Sequence, residues 1–339
     1  MAPGTDEPAR NAHAEEPGPG ARPPAAAGRS IVALGELLVE VMREAAGVSL
    51  GRRGAVFRGP FASGAPAIFA GAAARLGGRV RFAGVRGDDP FGTACVEHLL
   101  ALGVDVGWVR TDHERPTGVA FVAYQHDGSR TFLFHVGATA AATLHPGDLS
   151  GGLLDDAAWL HVTGSSLGVS GSVREAVDEA VALAHAAGAV IAFDPNLRTE
   201  LMPAHTIRAI CQRVLPHAQV VFPSGDEAAL LTGVADPLDA CRALLQQGPE
   251  VVVWKRGAAG CSVVTADGVV EVPALAVETV DPTGAGDCFA AGFAVARLEG
   301  SSAVEAARFA GVAAALSTTA LGPMEALPTR QEVLLQVRE

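Results

Sequence analysis

Lys255 is the only lysine in 339 residues. A phosphate-binding loop of the Gly-Lys-Ser/Thr type is therefore excluded. Any Schiff-base chemistry would fall on that one side chain. Cysteine is scarce as well: Cys95, Cys211, Cys241, Cys261 and Cys288 are odd in number, widely scattered and form no Cys-x-x-Cys. Neither a disulfide framework nor a zinc site is expected, and a reduced cytoplasmic setting fits. Positive charge is short, with 25 Lys and Arg against 37 Asp and Glu and a formal net charge of −12. That balance argues against a nucleic-acid surface. No apolar run approaches the ~20 residues that span a bilayer. The longest candidates, Ala285–Ala296 and Val304–Leu316, are broken by charge and glycine and read as buried helices. The first residues have neither the basic start nor the apolar stretch of a secretory signal.

Apolar residues are plentiful at 49%, enough for a sizeable core. Residues 1–28 are rich in Pro, Ala and Gly without periodicity, and disorder is expected there. From Ser30 onward short apolar strands alternate with helical spacing. Strands are predicted at Ile31–Leu34, Val80–Val85, Trp159–Val162, Val190–Phe193, Val220–Phe222 and Val251–Trp254. Helices are predicted at Pro66–Leu76, Phe91–Leu102, Val173–Ala187, Ile207–Leu215, from Asp226, at Leu238–Gln247 and at Val304–Ala320. This alternation specifies an α/β fold with a mostly parallel sheet covered on both faces. Ligands then belong at the C-terminal ends of the strands. Two β-rich pairs interrupt the rhythm. Gly118–Tyr124 and Arg130–His135 flank a turn at Asp127-Gly128, and Gly260–Val264 and Val269–Val272 flank Ala266-Asp267-Gly268. The first hairpin, with Glu40–Phe57, could cover something as a small β-lid. The second belongs at the sheet edge.

The most informative stretch is Asp281-Pro282-Thr283-Gly284-Ala285-Gly286-Asp287, followed by the apolar run Cys288–Ala294. A Gly-rich turn opening a helix gathers backbone N–H groups at the positive end of the helix dipole, which binds anions without a side chain. Asp287 in the first turn could take a proton from a hydroxyl beside that nest. Phosphoryl transfer to an alcohol needs both parts. An Asp at a helix start is also an ordinary cap, and Gly-Ala-Gly an ordinary turn.

The heptad resembles the Asp-x-x-Gly-Ala-Gly-Asp signature of the ribokinase-like (PfkB) carbohydrate kinases, and the resemblance covers Ser30 to the C-terminus. It implies a three-layer α/β/α kinase domain over 29–339, with lid segments near 40–57 and 117–136. It implies Asp287 as base, the amides of Gly284, Ala285 and Gly286 as the anion hole, and Arg198 as a phosphate-facing cation. Ser63-Gly64-Ala65-Pro66-Ala67-Ile68 looks like the family's Gly-Gly-Ala-Pro-Ala-Asn segment at the sugar, with Ser63 for a glycine and Ile68 for the asparagine. Glu40, Gly64, Ala65, Ile68 and Tyr124 are placed with the substrate, together with Arg198 and Asp287. Asp194-Pro195-Asn196-Leu197-Arg198 resembles a segment of the ketodeoxygluconate kinase and fructokinase branch. Asn196, Arg198, Ser224, Lys255, Gly257, Gly260, Thr283, Gly284 and Gly286 are placed with the nucleotide. Glu227 falls where the family helps to hold Mg²⁺, with Ser224 in place of an asparagine or, alternatively, as the cap of the helix carrying Glu227. Asp89 is expected to cap the helix that follows it.

The implied activity is ATP- and Mg²⁺-dependent phosphorylation of a sugar hydroxyl, with a monovalent cation left open. A ketohexose such as tagatose or fructose comes first, from the resemblance of Gly35–Arg43 and Gly59–Phe69 to tagatose kinases. 2-Keto-3-deoxygluconate is second. A phosphosugar read by Arg52, Arg53 and Arg58 is third. A sugar-binding regulator on a kinase scaffold is the non-enzyme alternative. The lid edges suggest a homodimer; neither a nucleic-acid nor a membrane partner is expected.

Overall fold

The computed structural model describes residues 29–126, 129–197 and 203–337. The N-terminal stretch 1–28, the turn Asp127-Gly128 and Arg198 lie outside the described residues.

Alternation along a single strand explains the layering. In β1 (Ser30–Leu34) Ile31 and Ala33 join one apolar cluster, while Val32 and Leu34 join another on the opposite face. Because side chains alternate across a strand, an uninterrupted apolar run must be covered on both sides. The other strands are β2 (Leu38–Arg43), β3 (Phe57–Ser63), β4 (Val80–Gly87), β5 (Asp105–Asp112), β6 (Gly118–Tyr124), β7 (Arg130–His135) and β8 (Ala157–Thr163). They continue with β9 (Val190–Asp194), β10 (Val220–Val221), β11 (Val251–Lys255), β12 (Cys261–Thr265) and β13 (Gly268–Val272). The helices are α1 (Ala65–Arg75), α2 (Pro90–Leu102), α3 (Gly164–Val169), α4 (Gly171–Ala186), α5 (Ala204–Cys211), α6 (Glu227–Thr232), α7 (Pro237–Leu245), α8 (Ala285–Leu298), α9 (Ala303–Ser317) and α10 (Arg330–Val337).

The main sheet runs β13-β12-β11-β10-β9-β8-β1-β4-β5. It is parallel from β11 to β5, and the antiparallel hairpin β12–β13 closes one edge as predicted. Helices α1, α2, α8, α9 and α10 contribute to the core on one face. Helices α3 to α7 contribute to the other. A second sheet, β3-β2-β6-β7, pairs β2 with β6 in parallel and both outer strands antiparallel. Buried Arg43 organises the loop between β2 and β3, donating to the carbonyls of Ser49 and Ala55 at 3.1 and 2.8 Å.

Some boundaries differ from expectation. The helix predicted over Ile207–Leu215 is α5, which ends at Cys211 before a single 3₁₀ turn at Leu215–His217 around Pro216. The helix predicted to Ala320 stops at Ser317, where Ser317 and Thr318 turn their hydroxyls back onto the carbonyls of Ala314 and Ala315. Asp89 caps α2 as expected, accepting from the Gly92 N–H at 2.8 Å.

Candidate active site

Segments that follow the parallel strands meet at the heptad. The loop after β1 carries Glu36, whose carboxylate is buried and accepts from Ser165 Oγ at 2.7 Å, in the first turn of α3. The same carboxylate takes the Ser166 hydroxyl. Glu40, on β2, is also buried, and Ser63 Oγ donates to its Oε1 at 2.9 Å. Ser63 thus holds Glu40 in place. Gly64 starts α1 at φ +112°, and a Cβ there would lie 2.2 Å from the Glu36 carbonyl oxygen. The close approach of chain to chain at this wall therefore needs glycine.

One chamber is lined by these acids, by Ser165, Gly64, Ala65 and Ile68, by Leu38 and by Phe132, Phe134 and Val136 of the second sheet. Thr283, Gly284 and Asp287 of the heptad complete it. Ile68 packs directly against Gly284, within 3.0 Å of where a Cβ would stand. Gly284, in the left-handed region at φ +79°, caps α8, so the heptad opens a helix as its sequence predicts. Asp287 sits buried in the first turn, and Asn196 Nδ2 reaches its Oδ1 at 3.4 Å. Asn196 has φ +38°, a conformation that asparagine tolerates better than most residues.

The heptad is fixed from its first residue. Fully buried Asp281 accepts the Thr283 N–H at 2.9 Å and the Gly322 N–H at 2.8 Å. It also takes the hydroxyl of Tyr124, which lies 2.5 Å from Thr283 Oγ1. Tyr124, expected at the substrate, therefore directs its hydroxyl to the heptad. Burial, and next the Asp281 charge, push its phenol above the ordinary range.

A second chamber, a groove of about 970 Å³, opens on the other side of the heptad. Ser224, Lys255, Gly257, Gly260, Ala285 and Gly286 line it, as do Phe289 of α8 and Gly311, Ala314 and Ala315 of α9. Lys255 Nζ donates to buried Asp194 at 2.5 Å and lies 3.3 Å from where a Gly286 Cβ would stand. The single lysine thus places an ion pair beside the first turn of α8. Glu227 accepts the N–H groups of Leu197 and Ser224, both at 2.7 Å. Burial, then the neighbouring Asp194 carboxylate, raise it to about 7 against the pull of Lys255. The cap of α6 is Asp226, not Ser224. No three acidic, histidine or cysteine side chains come together as a metal cage among the described residues. The arginines proposed to read a phosphosugar line neither chamber. Arg52 and Arg53 are exposed and Arg58 pairs with Glu44.

Two residues escaped the sequence reading. Glu36 stood within a motif from which only Glu40 was taken. Arg130 of β7 lines both chambers and carried no local signal beyond its place in a hairpin.

A buried acid in the first turn of a helix that opens on Gly-Ala-Gly, between two chambers at the ends of a parallel sheet, is the arrangement of a ribokinase-like α/β enzyme. The chain belongs to the pfkB family of carbohydrate kinases, whose model matches residues 29–330. It is 35% identical to Fructokinase-1 of Zea mays over 91% of this chain and 98% of that one. An E. coli structure named ribokinase II, solved with ATP and Mg²⁺, superposes with a TM-score of 0.85 at 35% identity, covering 91% and 99% of the two chains. A Vibrio cholerae fructokinase double mutant, solved with fructose, ADP and potassium, does so at 0.79 and 30%, covering 91% and 98%.

Proposed function

We propose that this carbohydrate kinase transfers the γ-phosphoryl group of ATP to a hydroxyl of a ketohexose, tagatose or fructose, bound in the acid-lined chamber. The observation that carries this reading is that one heptad supplies the wall between the chambers. Asp287 and Gly284 face the first, Ala285 and Gly286 the second. Glu36 and Glu40 accept hydrogen bonds from sugar hydroxyls, which a carboxylate can do in pairs. The reacting hydroxyl gives its proton to Asp287 as its oxygen forms the new bond to phosphorus. The bond from phosphorus to the bridging oxygen breaks, and ADP leaves with that electron pair. The first-turn amides of α8 hold the transferring oxygens. Arg198 is assigned to the same charge from the sequence. The second sheet acts as a lid that excludes water.

Mg²⁺ would enter with the nucleotide phosphates and offset their charge. Mg²⁺ usually keeps several waters and is held largely through water and phosphate. Glu227, with both oxygens on backbone amides, would reach it through water. The potassium of the Vibrio relative makes a monovalent cation a variable to test. The exposed edge of β7 fits pairing with a second copy, which sedimentation would show.

2-Keto-3-deoxygluconate is the second reading, favoured by the Asp194–Arg198 segment. Turnover of ATP to ADP should be followed with tagatose, fructose, ketodeoxygluconate, ribose, fructose 1-phosphate and a nucleoside. Asp287→Asn should lower kcat by about 10³-fold for the accepted sugar without unfolding the protein. Turnover that survives Asp287→Asn would remove it as the base.

A further inference from the structure

The acid-lined chamber is built from two unlike surfaces. The second sheet contributes one, with apolar Leu38, Phe132 and Phe134 beside Glu40 and Arg130. The main sheet and its helices contribute the other, where Glu36, Ser165, Thr283 and Asp287 present polar side chains. On that surface Ile68 is the one large apolar side chain among the described lining residues. The rest of the surface is Gly64, Ala65 and Gly284.

Ile68 is also fixed in place. It is 3% exposed, and its N–H donates to the Gly64 carbonyl at 2.8 Å near the start of α1. Its Cγ2 and Cδ1 lie 3.0 and 3.5 Å from where a Gly284 Cβ would stand. A β-branched side chain in a helix has one strongly preferred χ1, so these carbons do not swing aside. Gly284 is held in turn, because Asp281 accepts the N–H groups of Thr283 and Gly322 on either side of it. Gly284 and Asp287 are three residues apart at the start of α8, about one helical turn. The hydrocarbon end of Ile68 therefore stands close to the group assigned to the reacting hydroxyl.

A sugar hydroxyl pressed against that end would give up water and gain no hydrogen bond, which is unfavourable. A hydroxyl turned to Glu36 finds an acceptor instead. One surface thus tests for a hydroxyl at its acids and for the absence of one at Ile68.

We propose that Ile68 is a specificity-determining residue. The bound sugar turns a C–H face or a deoxygenated carbon to it, and an epimer that points a hydroxyl there is rejected. This rests on the kinase reading of the chamber given above.

The experiment measures kcat/KM for wild type, Ile68→Val and Ile68→Thr with the accepted sugar, its single-carbon epimers and its monodeoxy analogues. For a ketohexose, fructose is compared with its epimers psicose, tagatose and sorbose. Wild type should discriminate against one epimer by about 10- to 100-fold, the range that a hydrophobic pocket reaches against an added hydroxyl. The analogue deoxygenated at that same carbon should stay within about threefold of the accepted sugar, whereas loss of an acid-facing hydroxyl should cost at least about 100-fold. Ile68→Thr should narrow the epimer gap by about tenfold and Ile68→Val by less than about threefold, since the two variants differ by one hydroxyl. The same gap in both variants overturns the proposal. So does a wild type that loses more than about tenfold with every deoxy analogue. The deoxy series needs wild type alone, so it decides the matter even where thermal midpoints show that a variant has failed to fold. Turnover that treats all epimers alike overturns this proposal and leaves the kinase reading intact. No turnover with any sugar overturns the kinase reading, and this proposal with it.

Discussion

Lys255 and Asp194 form a buried pair beside the first turn of α8, with side chains 10% and 2% exposed. Removing one partner of such a pair leaves an unpaired buried charge and costs about 3–5 kcal/mol, while removing both costs far less. Lys255→Met should therefore lower the unfolding free energy by about that much, and Lys255→Met with Asp194→Asn should regain most of it. Activity should separate from stability here. The double variant lacks the cation beside Gly286, so its kcat should stay well below wild type even when its chemical-denaturation midpoint recovers. Recovery of both together would make the pair a purely structural brace. Sequence showed Lys255 as the end of a buried strand before a Gly-rich turn, and that was sound. Its partner was invisible, because Asp194 and Lys255 lie 61 residues apart and meet only when β9 and β11 flank β10.

Elements were legible where physics acts locally. β1, β8, β9, β10 and β11 are short, mostly apolar runs, β4 carries Arg81 and Arg86 among its apolar residues, and the edge hairpin β12–β13 announced itself through Ala-Asp-Gly. β5 was missed because Asp105–Asp112 is an edge strand of half-exposed, mixed composition without a clean period. The second sheet was legible as hairpin and segment, but the parallel pairing of β2 with β6 was not. Register across some 80 residues is set by the fold, not by any local pattern. Tyr124 shows what that pairing does. As the only tyrosine, it ties β6 to the heptad through Asp281 and Thr283. Tyr124→Phe should keep the strand but free it from the loop. A loss of about 1 kcal/mol in stability is expected for the hydrogen bond. Faster amide exchange over Gly118–His135 should accompany it, with a fall of roughly tenfold in kcat/KM as both substrates meet a looser wall. Unaltered exchange in that hairpin would show that the hydroxyl does not hold the sheet.

At the scale of the whole molecule, one buried titratable group among the described residues stands apart from both chambers. His161 on β8 is fully buried, stacked on Phe69 at 3.7 Å, with both ring nitrogens lacking a hydrogen-bond partner. Burial first, and then the Lys255 charge, pull it down to about 3 from the ordinary 6.5. The unfolded chain therefore takes up this proton before the folded one does. Stability linked to His161 is complete above pH 6.5 and falls as the pH drops toward 3, by about 1.4 kcal/mol per unit. Asp89, Asp112 and Asp156 are held below 3.8 and add acid sensitivity only at lower pH. Glu227, raised to about 7, acts with the opposite sign over much of the same window, since the folded chain takes up its proton first. The two slopes oppose each other, so a flat wild-type curve between about pH 4.5 and 6.5 would conceal both. His161→Phe keeps a ring against Phe69 and removes the basic nitrogen. The variant should match or exceed wild type at pH 7.5, because two unsatisfied polar atoms leave the core. Its advantage in thermal midpoint should widen steadily as the pH falls from 6.5 to 4.5 in metal-free buffer. A gap between variant and wild type that stays constant across that range would mean that His161 finds a partner or is protonated in the folded chain.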